Sequence, residues 1–153
     1  MPPQPGDYFV HATGEDKSPL VPASLELGGR PIQAWPVDPA TDMVRDGTLY
    51  NLVMLSRWEM AELGAEAQAY SAEGVVCTTV ICTHASCEVS DWVEDARVCE
   101  CPCHFSRFDP RFNGAVTQGP AFRKLPALQL ALADGRVVVK APFDGRVGGD
   151  VNE

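Results

Sequence analysis

Two short segments that carry Cys and His lie within residues 82–104 and constrain this chain more than any other feature. The first reads Cys-Thr-His-Ala-Ser-Cys from Cys82, and the second reads Cys-Pro-Cys-His from Cys101. Together with the residues between them they hold two of the three histidines and five of the six cysteines. Each segment offers one sulfur and one nitrogen only two or three residues apart. Two loops of this kind can give their ligands to one shared metal centre.

The ligand chemistry alone leaves zinc and iron open, because Cys thiolate and neutral imidazole suit both metals. Two Cys and two His also form the ligand set of a structural zinc finger. A zinc finger places two or more residues between paired ligands and takes its paired Cys from one turn. Here one residue separates Cys82 from His84, and two separate Cys101 from His104. The spacing disfavours zinc, and a structural zinc-binding module stays as the alternative of a different class.

The rest of the sequence predicts an all-β domain with one short helix. A chain of 153 residues can bury a core as a single domain, and 13 Gly with 13 Pro are typical of a turn-rich sheet protein. Residues 75–81 form an apolar run that predicts a buried strand leading into Cys82. Asp134-Gly135 between two apolar runs predicts a hairpin. A capping-box pattern predicts the helix from Ser56 to about residue 66, and the Gly-rich tail from Gly145 is expected to be loose.

Charge and hydropathy exclude several classes of partner. The formal charge of -9 argues against a nucleic acid, which requires a basic face, and allows a basic protein partner. The sequence contains no run of 18 apolar residues, so no membrane-spanning segment is predicted. Residues 1–5 lack a basic stretch followed by an apolar one, so no signal peptide is predicted.

The pattern C-x-H, sixteen residues, C-x-x-H resembles the Rieske iron–sulfur signature. The resemblance covers roughly residues 75 to 145 and implies one [2Fe–2S] cluster per chain. Cys82 and Cys101 would bind one iron, and His84 and His104 the other. It also implies an antiparallel β fold, a single Rieske domain over residues 1–153. Its proposed parts are a base of about 7–79 and 113–145 and an inserted cluster-binding lobe of about 80–112.

The two remaining cysteines of the segments resemble the disulfide-bearing subclass found in cytochrome bc-type complexes. The resemblance implies a Cys87–Cys103 disulfide, and hence an oxidising compartment. We therefore expect a periplasmic or extracytoplasmic protein, with room for an anchor in an N-terminal segment absent from this sequence. Cys77 and Cys99 are predicted to be buried free thiols, and a second disulfide between them is the alternative.

Further positions match family features that cover the cluster or adjust its potential. Ser106 would donate its hydroxyl to a bridging sulfide, which raises the potential. Phe108 stands where high-potential members have Tyr, so a positive but sub-maximal potential is expected within roughly −150 to +300 mV. The run Gly119-Pro120-Ala121 resembles the Pro loop that covers the cluster's third side.

These features predict a soluble electron-transfer protein rather than an enzyme by itself. Only His11 remains after the cluster takes its two histidines, so the mononuclear iron site of a Rieske oxygenase is not expected. The expected partner is a redox protein, either cytochrome c or a molybdenum or quinol oxidoreductase subunit. Ala85 and Phe108 favour a free shuttle or the small subunit of a molybdenum oxidase, such as arsenite oxidase. They disfavour the alternative, the head domain of a quinol-oxidising bc-type complex.

Overall fold

The computed structural model describes residues 1–150 and contains two antiparallel sheets. Within residues 1–150 a single α-helix, α1, spans Ala65–Tyr70, and short 3-10 turns span Pro22–Ser24, Leu49–Asn51, Met60–Glu62 and Pro110–Phe112. The strands are β1 Tyr8–His11, β2 Ile32–Asp38, β3 Met43–Val44, β4 Val53–Arg57, β5 Val75–Thr79, β6 Asp91–Val93, β7 Val98–Glu100, β8 Arg107–Asp109, β9 Ala115–Gln118, β10 Ala127–Ala133 and β11 Arg136–Ala141. The all-β fold with one short helix is confirmed.

The larger sheet has the strand order β1-β11-β10-β5-β4-β2-β3. A further pairing of β1 with β2 closes six of these strands into a barrel, while β3 stays outside the ring. Closure leaves the six strands without free edges, which removes sites for unwanted pairing. The predicted hairpin at its rim is confirmed, since Asp134 and Gly135 link β10 to β11 with φ of 53° and 78°.

The smaller sheet is an antiparallel meander of β6, β7, β8 and β9 that lies between β5 and β10 in the chain. It extends to Gln118, so β9 lies past residue 112, where the sequence places the end of the cluster-binding lobe. A buried cluster of apolar side chains lies between the two sheets. It includes Met54 from β4, Cys99 from β7 and Phe108 from β8. This shared core fixes the small sheet, and the loops it carries, against the barrel.

The predicted helix at Ser56 is wrong in position. Ser56 is a buried residue of β4, which pairs with β2 on one side and β5 on the other. Its hydroxyl accepts a hydrogen bond of 2.9 Å from the indole of Trp58 and caps no helix. The true helix starts at Ala65, and its buried Ala67 packs with Trp58. Pairing with two neighbouring strands outweighs the local capping pattern.

No helix in residues 1–150 is long and apolar enough to cross a membrane.

Candidate metal centre

The first ligand loop, residues 82–87, is a tight turn held by its own backbone. The Cys82 amide donates to the Cys87 carbonyl at 2.8 Å, and the Ser86 amide donates to the Cys82 carbonyl at 3.1 Å. Ser86 has the left-handed φ of 64° that this turn requires. Pairing of the flanking chain, with the amide of Val89 bonded to the carbonyl of Val80, closes the base of the loop.

The second ligand loop, residues 101–106, repeats the same hydrogen bonds. The Cys101 amide donates to the Ser106 carbonyl, and the Phe105 amide donates to the Cys101 carbonyl, both at 2.9 Å. Phe105 has a φ of 65°, which is rare for a bulky residue and matches the equivalent position of the first loop. The β7–β8 hairpin closes the base of this loop. Two loops of one geometry therefore present one Cys each at the same place.

The side chains of Cys82 and Cys101 interact with each other. The Cys101 thiol lowers the pKa of Cys82 to about 6 through a hydrogen bond between the two side chains, and the same bond raises the pKa of Cys101. Backbone amides two and three residues further on also donate to each sulfur and favour its thiolate form. One of them, the His84 amide, lies 3.4 Å from the Cys82 sulfur. A sulfur pair of this kind suits a metal that both thiolates bind.

The two histidines of the motif come together on the solvent side of the sulfurs. The rings of His84 and His104 meet edge to face, with their centroids 4.7 Å apart. Nδ1 of His84 is buried and has no hydrogen-bond partner among residues 1–150. A buried imidazole nitrogen without a partner is costly unless a ligand uses it. The donor set fits a metal group whose sulfur side is buried and whose nitrogen side faces outward.

The disulfide predicted from the resemblance is present. Cys87 and Cys103 are bonded, with their Cα atoms 6.5 Å apart and a sequence separation of 16. The bond joins the end of the first ligand loop to the middle of the second. Both of its sulfurs lie within 4.8 Å of the Cys101 sulfur. It therefore holds the two loops together directly beside the candidate ligands.

The other two cysteines behave as buried apolar residues, as predicted. Cys77 and Cys99 are free thiols with 2% and 3% exposure. Burial raises the pKa of both, that of Cys99 to about 12. The Cys99 sulfur contacts the Met54 sulfur at 3.9 Å. Their protonated state at neutral pH separates them chemically from the Cys82 and Cys101 pair.

The predicted Pro loop packs against the second ligand loop. A Cβ on Gly119 would lie 2.5 Å from Cα of Ser106, so only glycine allows this approach. Two residues further on, the Ala121 amide donates to the Ser106 hydroxyl at 3.2 Å. Ser106 is fully buried and is not a solvent-facing loop serine. Its hydroxyl accepts this bond and keeps its own hydrogen to donate.

Residues 34–129 match the family described as the Rieske [2Fe-2S] domain. The chain belongs to this family. A Rieske domain carries a [2Fe-2S] cluster and serves electron transfer, so the structural zinc alternative is set aside. The Cys87–Cys103 bond agrees with the disulfide-bearing subclass of Rieske proteins.

Two of the similar curated proteins are named as Rieske subunits of larger proteins or complexes. A Haloferax mediterranei protein with the provisional name respiratory nitrate reductase subunit Rieske is 39% identical over 80 residues, which cover 52% of this chain and 36% of that protein. The cytochrome bc1 complex Rieske iron-sulfur subunit of Streptomyces lividans is 36% identical over 80 residues, which cover 52% of this chain and 47% of the relative. The chain thus spans less than half the length of either relative.

A solved structure supports the Rieske fold at low sequence identity. The ferredoxin of Sphingomonas yanoikuyae B1 superposes with a TM-score of 0.51 at 20% identity, covering 80% of this chain and 94% of the ferredoxin. This likeness bears on the fold alone.

Two features of the Rieske site escaped the sequence analysis. Residues 145–150 of the tail that the sequence predicts to be loose are held in place, because the backbone amides of Gly149 and Asp150 bond to the first ligand loop. Residues 151–153 of that prediction lie outside the described residues. Arg123 also belongs to the site, since its carbonyl accepts a 2.6 Å hydrogen bond from the Thr83 hydroxyl. The adjacent pair Gly148-Gly149 was the only local signal that backbone approaches backbone there.

Proposed function

We propose that this chain is an electron carrier that holds its cluster on Cys82, His84, Cys101 and His104 and passes one electron at a time between extracytoplasmic redox proteins. The observation that carries the ligand assignment is that the rings of His84 and His104 meet edge to face, with the buried Nδ1 of His84 lacking a partner among residues 1–150. The two buried cysteines of the same loops, Cys82 and Cys101, interact with each other. Each ligand loop then supplies one ligand to each iron.

The burial of the ligand side chains determines the side from which a redox partner can approach the cluster. Cys82 and Cys101 are 1% and 2% exposed, whereas His104 is exposed at the surface. The cluster supplies one-electron redox chemistry when bound, and the protein decides which side of it a partner can approach. A partner therefore approaches the histidine side, where Phe105, the residue after His104, is 60% exposed. Its ring offers apolar contact area beside the histidine.

The acceptor that we propose is a cytochrome or another basic redox protein outside the cytoplasm. The formal charge of -9 favours encounter with a cationic surface and raises association rates at low salt. The disulfide supports an oxidising compartment. The named relatives support membership of a larger assembly as a second candidate, either a bc1-type complex or a nitrate reductase. An anchor outside residues 1–150 is compatible with both.

The proposed function predicts a coloured protein with a positive midpoint potential. The reduced form should give a Rieske-type electron paramagnetic resonance spectrum, and the oxidised form should bleach with dithionite and take up one electron per chain. The potential should be positive but below the upper end of the Rieske range, which lies at roughly +300 mV. Visible spectroscopy with potentiometric titration measures both quantities. A colourless protein that retains two zinc-competent thiols after iron loading would contradict the function.

The assembly partner is tested with the same protein. Reduced protein should pass its electron rapidly to ferric cytochrome c, and the rate should fall steeply as salt is raised. Rapid reduction by a quinol in the absence of any partner would instead favour the quinol-oxidising head domain.

Ser106→Ala is expected to lower the midpoint potential by about 60 mV. The buried hydroxyl stabilises the more negative, reduced state, and 59 mV corresponds to a tenfold change in a one-electron equilibrium. Potentiometric titration at fixed pH measures the shift in variants with full cluster content. Thr117→Ala, which removes an exposed hydroxyl from the neighbouring strand β9, is the matched control and should leave the potential unchanged. Equal midpoint potentials in Ser106→Ala and the wild type would show that the Ser106 hydroxyl does not raise the potential.

Phe108 is expected to keep the potential below that of family members with Tyr there. Its ring is 1% exposed in the core between the two sheets. The side chain has no hydroxyl to donate to a ligand sulfur, so it contributes packing alone.

A further inference from the structure

Residues 145–150, which we call the strap, lie across the first ligand loop. The Asp150 amide donates to the Thr83 carbonyl at 2.9 Å, and the Gly149 amide donates to the Ser86 hydroxyl at 2.6 Å. Both acceptors flank the tip of the loop that carries His84. The contact joins segments that are 63 residues apart in sequence.

The strap approaches so closely that one position admits only glycine. A Cβ on Gly149 would lie 2.5 Å from the Ser86 amide nitrogen and 2.7 Å from both Cα of Ala85 and the carbonyl oxygen of His84. All three are backbone atoms, which cannot rotate away as a flexible side chain would. Any larger residue at this position must lift the strap or displace the loop. The loop and strap are thus fitted to each other by backbone contact.

The guanidinium of Arg123 holds the strap in place. It donates to the carbonyls of Arg146 and Gly148 at 2.8 and 2.7 Å and pairs with the Asp150 carboxylate at 3.1 Å. Asp150 also pairs with Arg146 at 2.6 Å. Meanwhile the Arg123 carbonyl accepts the Thr83 hydroxyl. One residue therefore connects the strap, the first ligand loop and the segment that follows the Pro loop.

We propose that Gly149 and Arg123 are positioning residues: they fasten the strap onto the first ligand loop, and the strap holds His84 and Cys82 in their binding geometry and slows loss of the cluster. The proposal rests on the proposed ligand assignment and deepens it. The physical reason is that the disulfide holds the first ligand loop at Cys87, where it joins the second loop, and the strap holds the same loop at Thr83 and Ser86. A loop braced on both sides opens less often to release its ligands.

The test uses the full, cluster-loaded chain. Gly149→Ala should speed cluster loss to a chelator by about tenfold, because it breaks two hydrogen bonds of ordinary net strength. It should also broaden the electron paramagnetic resonance lines of the reduced cluster, because His84 takes up several positions. Gly145→Ala is the matched control in the same strap, since its Cβ would meet only Cγ of Pro126 at an ordinary 3.7 Å. Arg123→Lys keeps the positive charge but loses the guanidinium that donates several hydrogen bonds at once. It should also speed cluster loss, but by less than Gly149→Ala.

Each outcome decides the proposal. Release rates and spectra of Gly149→Ala that equal those of Gly145→Ala would overturn it, even if the wild type has a normal Rieske spectrum and the proposed function stands. Equal denaturation midpoints of the two cluster-free variants support a positioning role. A midpoint lowered in cluster-free Gly149→Ala, together with an unchanged line shape, would show that the strap serves general stability only. If the loaded wild-type protein lacks a Rieske spectrum, the proposed function itself is contradicted.

Discussion

Cys101→Ser is expected to abolish cluster binding, with bound iron reduced by more than about 100-fold. The substitution removes a sulfur ligand to which the backbone amides of Cys103 and His104 already donate, bonds that favour its thiolate form. Loss of a residue that only supports a ligand costs 10 to 100-fold in metal affinity, and loss of the ligand itself costs more. Iron and sulfide analysis together with the visible spectrum measures the effect. The isolated variant should be colourless while its β-barrel remains folded by circular dichroism.

Cys99→Ala is the matched control for that experiment. Cys99 lies two residues before Cys101, is equally buried, and carries a thiol whose pKa burial raises to about 12. Its removal should keep the cluster and cost about 1 kcal/mol of folding stability, the value of one small buried group. A colourless Cys99→Ala beside a coloured Cys101→Ser would refute the ligand assignment.

The ligand loops could be predicted from sequence because their information is local. The spacing of Cys82 and His84, and of Cys101 and His104, is fixed within four residues, and each loop closes on its own backbone. Short-range patterns of this kind can be recognised in the sequence without knowing how the rest of the chain folds. The Cys87–Cys103 disulfide was predicted from the resemblance to the disulfide-bearing Rieske subclass and not from the spacing of the loops.

The strap and the barrel closure could not be predicted because both depend on contacts far apart in sequence. Nothing near Gly149 identifies its partner Ser86, and the closing pair of β1 with β2 has no sequence signature of its own. The helix at Ser56 was misplaced for the same reason. Its capping pattern is a local preference, and pairing of β4 with strands on both sides outweighs it.

The two braces act on different parts of the site. The disulfide covalently links the end of the first ligand loop to the middle of the second, while the strap holds the first loop by hydrogen bonds and close backbone contact. A covalent link acts mainly on the unfolded chain, by limiting its freedom. The strap acts on the folded protein, by limiting local opening. Variants of the two should therefore differ, the first in global stability and the second in cluster release.

Replacing both Cys87 and Cys103 by Ala is expected to lower the free energy of unfolding by about 3 kcal/mol. The disulfide spans 16 residues, and a closed loop of that size restricts the unfolded chain by about this amount. Urea denaturation of the cluster-free protein measures the loss. Because the bond also joins the ligand loops, cluster loss to a chelator should accelerate in the loaded variant.

The double variant Cys77→Ala, Cys99→Ala removes two cysteines as well and breaks no disulfide. It should lose only the burial of two small groups, about 2 kcal/mol at most, and its stability should not respond to a reductant. Wild-type protein treated with a reductant that opens the disulfide should fall to the stability of the Cys87→Ala, Cys103→Ala variant, which itself should not change. If the reductant leaves wild-type stability and cluster retention as they were, the disulfide does not brace the two loops.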